Sequence, residues 1–155
     1  FIAYRVLVRA IYSQQFNMED KIQTNSLPHG NKDALIQAAR AASLNAIAKL
    51  STYRVGAALQ SDDGTIFTGC NVEFDNYSNT LHAEEGAIAG LVASGRQHAT
   101  TLAVFTHGTK PAFPCGMCLQ SLVEIGGQDM VIIAACPGGE ESSTLKILLP
   151  HSFTL

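Results

Sequence analysis

Charged residues are scarce in this chain. Asp, Glu, Lys and Arg make up only 15% of its 155 residues, whereas 46% of them are hydrophobic. A small domain with so little charge often buries part of its surface against other subunits. The ten Lys and Arg residues form no basic run or aromatic-basic stripe, which argues against a nucleic-acid partner. The low proportion of charged residues therefore favours an oligomer.

Two further absences bear on where the protein works. The sequence contains no run of eighteen apolar residues, so we predict no membrane partner. It has only four cysteines, two of them in the metal motif described below, which predicts no disulfide framework and a reducing, cytoplasmic location. Residues 1–24 are predicted to be an N-terminal extension, with Met18 as the first methionine. Residues 25–155 are predicted to form one catalytic domain.

Two short motifs contain the candidate ligands of a metal. The first is His82-Ala83-Glu84, and the second is Pro114-Cys115-Gly116-Met117-Cys118, whose first cysteine lies thirty-three residues after His82. An imidazole and two thiolates are ligands that favour Zn²⁺, and three protein ligands leave one tetrahedral position open for water. Glu84 is placed to exchange protons with that water. The pattern therefore predicts one catalytic Zn²⁺ per chain, bound by His82, Cys115 and Cys118.

The spacing within each motif also predicts local structure. Cys115 and Cys118 are three residues apart, so on the first turn of a helix they face the same way. His82 and Glu84 are two apart and can share a site only where the chain enters a helix. Both motifs are therefore predicted to be helix N-termini, whose partial positive charge favours thiolate over thiol.

Other interpretations of these motifs stay open at this point. A Cys-x-x-Cys pair also occurs in redox proteins and in zinc knuckles, although no tryptophan precedes this pair. A closed structural zinc site would take a fourth ligand from Cys70, Cys136 or His107, none of which has matching spacing. A zinc-stabilised binding module would have no use for an acid–base carboxylate such as Glu84. A catalytic site is the favoured interpretation.

Hydrophobic periodicity and turn residues predict an α/β domain. The predicted helices cover Asp33–Leu50, Ala83–Ser94 and Cys115–Ile125. The predicted strands cover Arg54–Gln60, Thr65–Asn71, Thr101–Thr106 and Met130–Ala135, the first two as a hairpin. We also predict a loop over Asn25–Lys32, a Gly-rich turn over Cys136–Glu141 and a final short element over Leu145–Pro150. A hairpin followed by alternating helices and strands indicates a mixed sheet with helices on both faces.

From about Asp33 to Phe153 the sequence resembles the small homotetrameric nucleoside cytidine deaminases. The H-x-E…P-C-x-x-C pattern is the signature of zinc-dependent base deaminases. Three further segments are similar to the family's F-x-V-G-A-A-L, G-x-N-x-E and L-L-P-x-x-F motifs, namely Tyr53–Leu59, Gly69–Glu73 and Leu148–Phe153. The resemblance implies a three-layer α-β-α fold with a mixed five-stranded sheet, and a homotetramer with shared active sites. It implies a substrate pocket formed by Tyr53, Asn71, Glu73, Tyr77, Ala83 and Phe153, with Phe153 reaching a neighbouring subunit's pocket.

Asn71 and Glu73 have a physical interpretation of their own. Residues two apart at a strand end project to one face. An amide beside a carboxylate suits a sugar hydroxyl, which donates to one group and accepts from the other. Beside the zinc motif, this pair is predicted to bind ribose.

The zinc motifs depart from the usual pattern of the small deaminases in three places. His82 replaces a cysteine, and Glu85 and Leu119 stand where C-A-E-R and P-C-x-x-C-R-Q have arginine. Zn²⁺ with two thiolates and a neutral imidazole carries no net charge. Such a site needs no compensating arginines, so the three changes are mutually consistent. Phe74 and Phe113 stand where small or polar residues are common near the pocket, which leaves the tolerated base substituents open.

The resemblance implies hydrolytic deamination of cytidine and 2′-deoxycytidine to uridine and 2′-deoxyuridine, with zinc-activated water and Glu84 as proton shuttle. The alternative is a deaminase of a modified cytosine nucleoside, of the blasticidin S or N4-substituted type. A nucleotide or polynucleotide deaminase would need cations for phosphate, and no Lys or Arg cluster accompanies the motifs.

Overall fold

A five-stranded sheet forms the centre of the structure, a computed structural model in which residues 29–154 are described. The strands are β1 Val55–Ser61, β2 Ile66–Cys70, β3 Ala99–Thr106, β4 Val131–Cys136 and β5 Gly139–Thr144. Their order across the sheet is β2-β1-β3-β4-β5. Only β3 and β4 pair in parallel, and the other neighbours are antiparallel. The predicted mixed sheet, including the β1–β2 hairpin, is confirmed.

Helices cover both faces of the sheet. They are α1 His29–Ser43, α2 Ala83–Ala93, α3 Gly116–Gly126 and α4 Leu145–Leu148. Because successive side chains of a strand point to opposite faces, β1 and β3 contribute to two separate cores. One core joins α1 to the sheet through Leu35, Ala39, Ala58, Ala103, Phe105, Ile133 and Ala135. The other joins the remaining helices to Ala57, Leu59, Leu102, Val104 and Ile132. This is the predicted three-layer α-β-α arrangement.

The first helix differs from its prediction at both ends. It begins at His29, so the predicted loop over Asn25–Lys32 is wrong for residues 29–32, and it ends at Ser43 instead of Leu50. Beyond the turn after Ser43, the N–H of Ile47 donates to the carbonyl of Asn71, and the N–H of Glu73 donates to the carbonyl of Ile47. These tertiary backbone bonds replace the helical ones. The predicted extension over residues 1–24 lies outside the described residues.

The strand β5 was missed. Pro137 and Gly138 form the turn after β4, and the chain then returns as an edge strand where a Gly-rich turn was predicted over Cys136–Glu141. Its sequence, Gly139–Thr144, has no apolar alternation, because an edge strand of this kind is held by backbone bonds and its side chains are mostly exposed. The final element, predicted over Leu145–Pro150, is the short helix α4. No helix within residues 29–154 has the length and apolarity needed to cross a bilayer.

Glycine at position 69 brings α2 close to the sheet. A Cβ on Gly69 would overlap the carbonyl oxygen of Ala83 and lie 2.6 Å from the backbone nitrogen of Ala87. The first turn of α2 therefore lies directly on β2, and only a residue without a side chain permits this contact. Since His82 and Glu84 flank Ala83, the packing at Gly69 sets the position of the predicted zinc motif.

We expect Gly69→Ala to lower the free energy of unfolding by about 3 kcal/mol or more, at the upper end of overpacking effects, and to lower zinc content with it. Gly90→Ala, in the helix α2 that packs on Gly69, is the control. A Cβ there would lie 3.6 Å from Phe67, and Ala stabilises a helix interior relative to Gly by roughly 0.5–1 kcal/mol. Denaturant unfolding and metal analysis of both variants check this, and equal stability of the two would contradict it.

Candidate metal centre and substrate pocket

The two predicted metal motifs meet at the N-termini of two helices. His82 is the N-cap of α2 and Cys115 is the N-cap of α3, both with extended backbone. Cys118 lies on the first turn of α3 and is fully buried. The prediction that both motifs begin helices is confirmed. The two helix ends bring side chains from distant parts of the sequence to one point.

The geometry of the three side chains fits a tetrahedral zinc ion. The Nδ1 atom of His82 lies 3.4 Å from the Sγ atoms of both Cys115 and Cys118. Bond lengths of about 2.3 Å to sulfur and 2.0–2.1 Å to nitrogen place two tetrahedral ligands about 3.5 Å apart. The three ligand atoms all lie within 4.8 Å of one another, and no other such group of His, Cys, Asp and Glu occurs in residues 29–154.

The residues considered as a fourth ligand do not join this group. His107 is engaged elsewhere, with its Nε2 atom 2.9 Å from the hydroxyl oxygen of Ser43. Cys136 is buried, and its sulfur accepts a hydrogen bond from the N–H of Gly138. Cys70 also lies outside the group, on β2. The described part of the chain therefore supplies three ligands and leaves a fourth position open.

The chemistry of the buried cysteine also fits a cation. Burial raises the pKa of the Cys118 thiol, and the negative charge of Glu84 acts in the same direction. A thiolate at this position therefore needs a positive charge beside it, which Zn²⁺ bound to His82 and Cys115 would supply.

Glu84 lines the same pocket as the metal ligands His82 and Cys115 but is not needed as a ligand. Its side chain lines the pocket although the residue is only 5% exposed. Burial raises the pKa of Glu84 above its ordinary value, while its own backbone N–H and the charge of His82 act in the opposite direction. A carboxyl group with a raised pKa is a stronger base and holds its proton to higher pH than an exposed one, which suits general acid–base catalysis.

The pocket beside the metal group has a volume of about 290 Å³, close to the lower end of small-molecule sites, roughly 300–1,000 Å³. The predicted site residues that line it are Tyr53, Asn71, Glu73, His82, Ala83, Glu84 and Cys115. The prediction missed several others, which are Ser51, Val55, Thr80, Val104, Thr106 and Ala112. Val55, Val104 and Thr106 lie on β1 and β3, which strand pairing brings together. The other three lie in loops that only the tertiary fold brings to the pocket.

Two predicted pocket residues lie elsewhere. Tyr77 is in the short 3₁₀ turn Tyr77–Asn79, is 76% exposed, and does not line the pocket. Its place is taken by Thr80, the first residue after that turn. Phe153 is 65% exposed and also lies outside the pocket of its own chain.

The side chain of Asn71 holds the backbone at the start of β1 in place. Its Nδ2 donates to the carbonyl of Tyr53 at 2.9 Å, and its Oδ1 accepts from the N–H of Val55 at 2.9 Å. An amide has two donor hydrogens and two acceptor lone pairs. One of each is used here, so the side chain positions Tyr53 and keeps hydrogen-bonding capacity toward the pocket.

Glu73 holds the segment just before Tyr53. Its carboxylate accepts hydrogen bonds from the N–H of Leu50 at 2.7 Å, from the N–H of Ser51 at 3.0 Å and from the Ser51 hydroxyl. These bonds, above all those from Ser51, lower the pKa of Glu73. Glu73 is therefore a carboxylate, and with about four acceptor positions it retains one for a ligand.

Comparison with known proteins identifies the family. Residues 29–134 match the family described as "Cytidine and deoxycytidylate deaminase zinc-binding region". The chain belongs to this deaminase family. It is 37% identical to the cytidine deaminase of Sporosarcina psychrophila, over 79% of this chain and 90% of that protein. It is 33% identical to the enzyme of Halalkalibacterium halodurans, over 80% and 95% of the two chains.

Solved structures of the same deaminase family share the fold. The crystal structure of cytidine deaminase from Burkholderia pseudomallei superposes with a TM-score of 0.76 at 35% identity, over 82% of this chain and all of that one. The enzyme from Mycobacterium tuberculosis gives a TM-score of 0.70 at 35% identity, over 80% and 98%. The protein is therefore a zinc-dependent hydrolase of the deaminase type, and the redox and binding-module interpretations are set aside.

The deaminase motif contains one positioning contact that the prediction missed. Glu85 occupies the third position of α2, and its carboxylate accepts a hydrogen bond from the backbone N–H of His82 at 3.1 Å. A Glu at this position of a helix is the acceptor half of a capping box. The three-residue spacing from His82 was the signal that could have revealed it. Where the small deaminases have arginine, this chain has a carboxylate that holds a metal ligand's backbone.

Proposed function

We propose that this pocket deaminates cytidine and 2′-deoxycytidine by hydrolysis, giving the uridines and ammonia. The observation that carries the proposal is an open three-ligand group, two of whose ligands line the same pocket as the buried Glu84. A closed zinc site would hold no water, and a pocket without Glu84 would have no carrier for the proton that hydrolysis moves from water to the leaving amine.

Metal binding, proton transfer and contact with the base would be carried out by different residues of the pocket. Zinc held by His82, Cys115 and Cys118 would supply a water molecule whose pKa is lowered to about 7. Glu84 takes one proton from the attacking water and passes it to N3 of the pyrimidine. It then takes the second proton of that oxygen, now the hydroxyl on C4, and donates it to the departing amino group, which leaves as ammonia. The burial of Glu84 keeps bulk water from competing for these protons. The backbone at Ala83, which also lines the pocket, contacts the base.

The sugar side of the pocket favours a nucleoside over a nucleotide. Asn71 and Glu73 each retain hydrogen-bonding capacity for a ribose hydroxyl, and they are held in place by their bonds to the 50–55 segment. None of the described residues that line the pocket is Lys or Arg. A phosphate placed there would meet the negative charge of Glu73 without a compensating cation.

A substrate panel tests this assignment. We expect ammonia release from cytidine and 2′-deoxycytidine, and at least about 100-fold lower kcat/KM for CMP and dCMP, for which the lining offers no cation. Blasticidin S and N4-methylcytidine belong in the same panel because the family fold alone does not separate them from cytidine. A preference for dCMP, or for blasticidin S, would contradict the proposal.

The same proposal includes a homotetramer whose pockets are completed across subunits. Phe153 is an exposed aromatic residue outside its own pocket, whose lining supplies the aromatic rings of Tyr53 and Phe113. A Phe153 ring from a neighbouring subunit would add a further surface on which the base can stack. The described surface also exposes many large apolar side chains, among them Leu44, Ile47, Leu50, Phe74, Met117 and Ile147. Scattered exposed apolar residues are normal, but this number on a sparsely charged domain favours burial between subunits.

The free thiols of Cys70 and Cys136 support a reducing cytoplasm as the location.

We expect Phe153→Ala to raise KM for cytidine about five- to 150-fold, the equivalent of roughly 1–3 kcal/mol of stacking on one base, with zinc content unchanged. Mixing Phe153→Ala chains with Glu84→Gln chains tests the shared pocket. Some mixed oligomers would combine an intact Glu84 from one chain with an intact Phe153 from its neighbour. Activity should then exceed the sum of the separate variants. Strictly additive activity, or an active monomer by light scattering, would refute sharing.

A further inference from the structure

The C-terminal tail is attached to helix α3 by one glutamine. The N–H of Phe153 donates to Oε1 of Gln120 at 2.9 Å, and Nε2 of Gln120 donates to the carbonyl of Phe153 at 3.0 Å. The side-chain amide thus pairs with the backbone of a single residue on both sides, as a neighbouring strand would. We infer that Gln120 is a positioning residue, which sets the direction in which the Phe153 ring leaves the subunit. This inference rests on the proposed function.

The amide of Gln120 has one favourable orientation. Its Nε2 also donates to Oε1 of Glu124 at 3.2 Å, so both amide hydrogens are used. Turning the amide over would set its NH₂ group against the N–H of Phe153 and its oxygen against a carbonyl and a carboxylate. The two bonds to Phe153 therefore already select this orientation, and Glu124 only accepts the remaining amide hydrogen.

The tail is held at its backbone while the aromatic ring stays free. Phe153 is 65% exposed although its N–H and carbonyl are both bonded. The preceding residue is held as well, because Nε2 of Gln128 donates to the hydroxyl of Ser152 at 2.7 Å. An aromatic side chain held ready on an ordered backbone loses less entropy on reaching its partner than one on a loose tail. This arrangement suits a ring that must enter another subunit's pocket.

Gln120 also ties the tail to the metal helix. It lies two residues after Cys118 on α3, so the tail that serves a neighbouring pocket is held by the same helix that carries a zinc ligand of its own pocket. A shift of α3 would therefore move the ring as well.

The test compares three variants by KM, kcat and zinc content. Gln120→Ala removes both bonds to Phe153, and we expect KM for cytidine to rise about five- to twenty-fold with kcat within about twofold. Gln120→Glu has the same shape but places an acceptor against the Phe153 carbonyl and Glu124, and we expect at least as large a rise. Glu124→Ala, the control, leaves both bonds to the tail and should stay within about threefold of wild type. Full zinc content in all three shows that α3 is intact.

A double-mutant cycle separates positioning from a general structural role. In the Phe153→Ala background, Gln120→Ala should change KM by no more than about twofold, because there is no ring left to position. An undiminished effect in that background would overturn the inference, as would a Gln120→Ala variant with wild-type KM in an enzyme that Phe153→Ala impairs. If Phe153→Ala alone leaves KM unchanged, the shared pocket itself is wrong and the inference falls with it.

Discussion

Replacing Glu84 with glutamine is expected to reduce kcat for cytidine about 10²–10⁴-fold, the usual contribution of a positioned acid–base group. The effect should lie toward the upper end, because one carboxyl group serves successive proton transfers. Glutamine has the same shape and fills the same buried space, so the fold and the metal group should be retained. The measurement is single-turnover conversion of cytidine to uridine, together with metal analysis of the same protein sample.

The control for this variant is Glu141→Gln, an exposed carboxylate on β5 that should leave kcat unchanged. A Glu84→Gln enzyme within roughly threefold of wild type would exclude Glu84 as the proton carrier, since so small a loss lies far below the range for such a group. Loss of zinc from Glu84→Gln would instead give the carboxylate a role in holding the metal.

The second large effect is expected from Cys118→Ala. The thiol is fully buried and its sulfur lies 3.4 Å from Nδ1 of His82. Its removal leaves two ligands on two different helices. Loss of a group that only supports a metal ligand costs 10–100-fold in affinity, so loss of the ligand itself should cost at least about 100-fold. Zinc should then dissociate on dialysis, and deamination should be lost with it.

Cys136→Ala is the matched control for the loss of a buried cysteine. Cys136 is buried like Cys118 but belongs to β4, outside the metal group. We expect it to keep one zinc per chain and to lose only a little stability. Two zinc ions per wild-type chain, or loss of zinc from Cys136→Ala, would contradict the assignment of ligands.

The metal centre was predictable because its ligands occur in two short motifs with characteristic spacing. The separation of three positions from Cys115 to Cys118, and of two from His82 to Glu84, limits the local conformation to helix N-termini. The identities of the ligands then indicate zinc. The missed contact from Glu85 follows a local rule of the same kind, because a capping box also depends only on residues three apart.

Elements without a local pattern were not predictable. The strand β5 is polar and held by its pairing with β4, so periodicity does not reveal it. The apolar residues Ala46 and Leu50 continue the helical spacing of α1, yet the helix ends at Ser43 because the backbone beyond it bonds to Asn71 and Glu73. Tertiary contacts thus override a local preference.

The substrate pocket was predictable only in part. Asn71 and Glu73 were found from their pairing and from the resemblance, but their bonds to the 50–55 segment depend on contacts between distant parts of the chain. The attachment of Phe153 to Gln120, thirty-three residues away, likewise has no sequence signal beyond the presence of both residues.

The central claim is that the zinc group with Glu84 is a nucleoside deaminase, and a zinc titration tests it most directly. Protein stripped of metal is titrated with Zn²⁺ while the conversion of cytidine to uridine is followed by absorbance and by ammonia release. We predict no activity without metal, a linear rise, and a plateau at one zinc per chain with one ammonia released per uridine formed. Deamination by the metal-free protein, or a fully loaded protein that leaves cytidine unchanged, would contradict the claim.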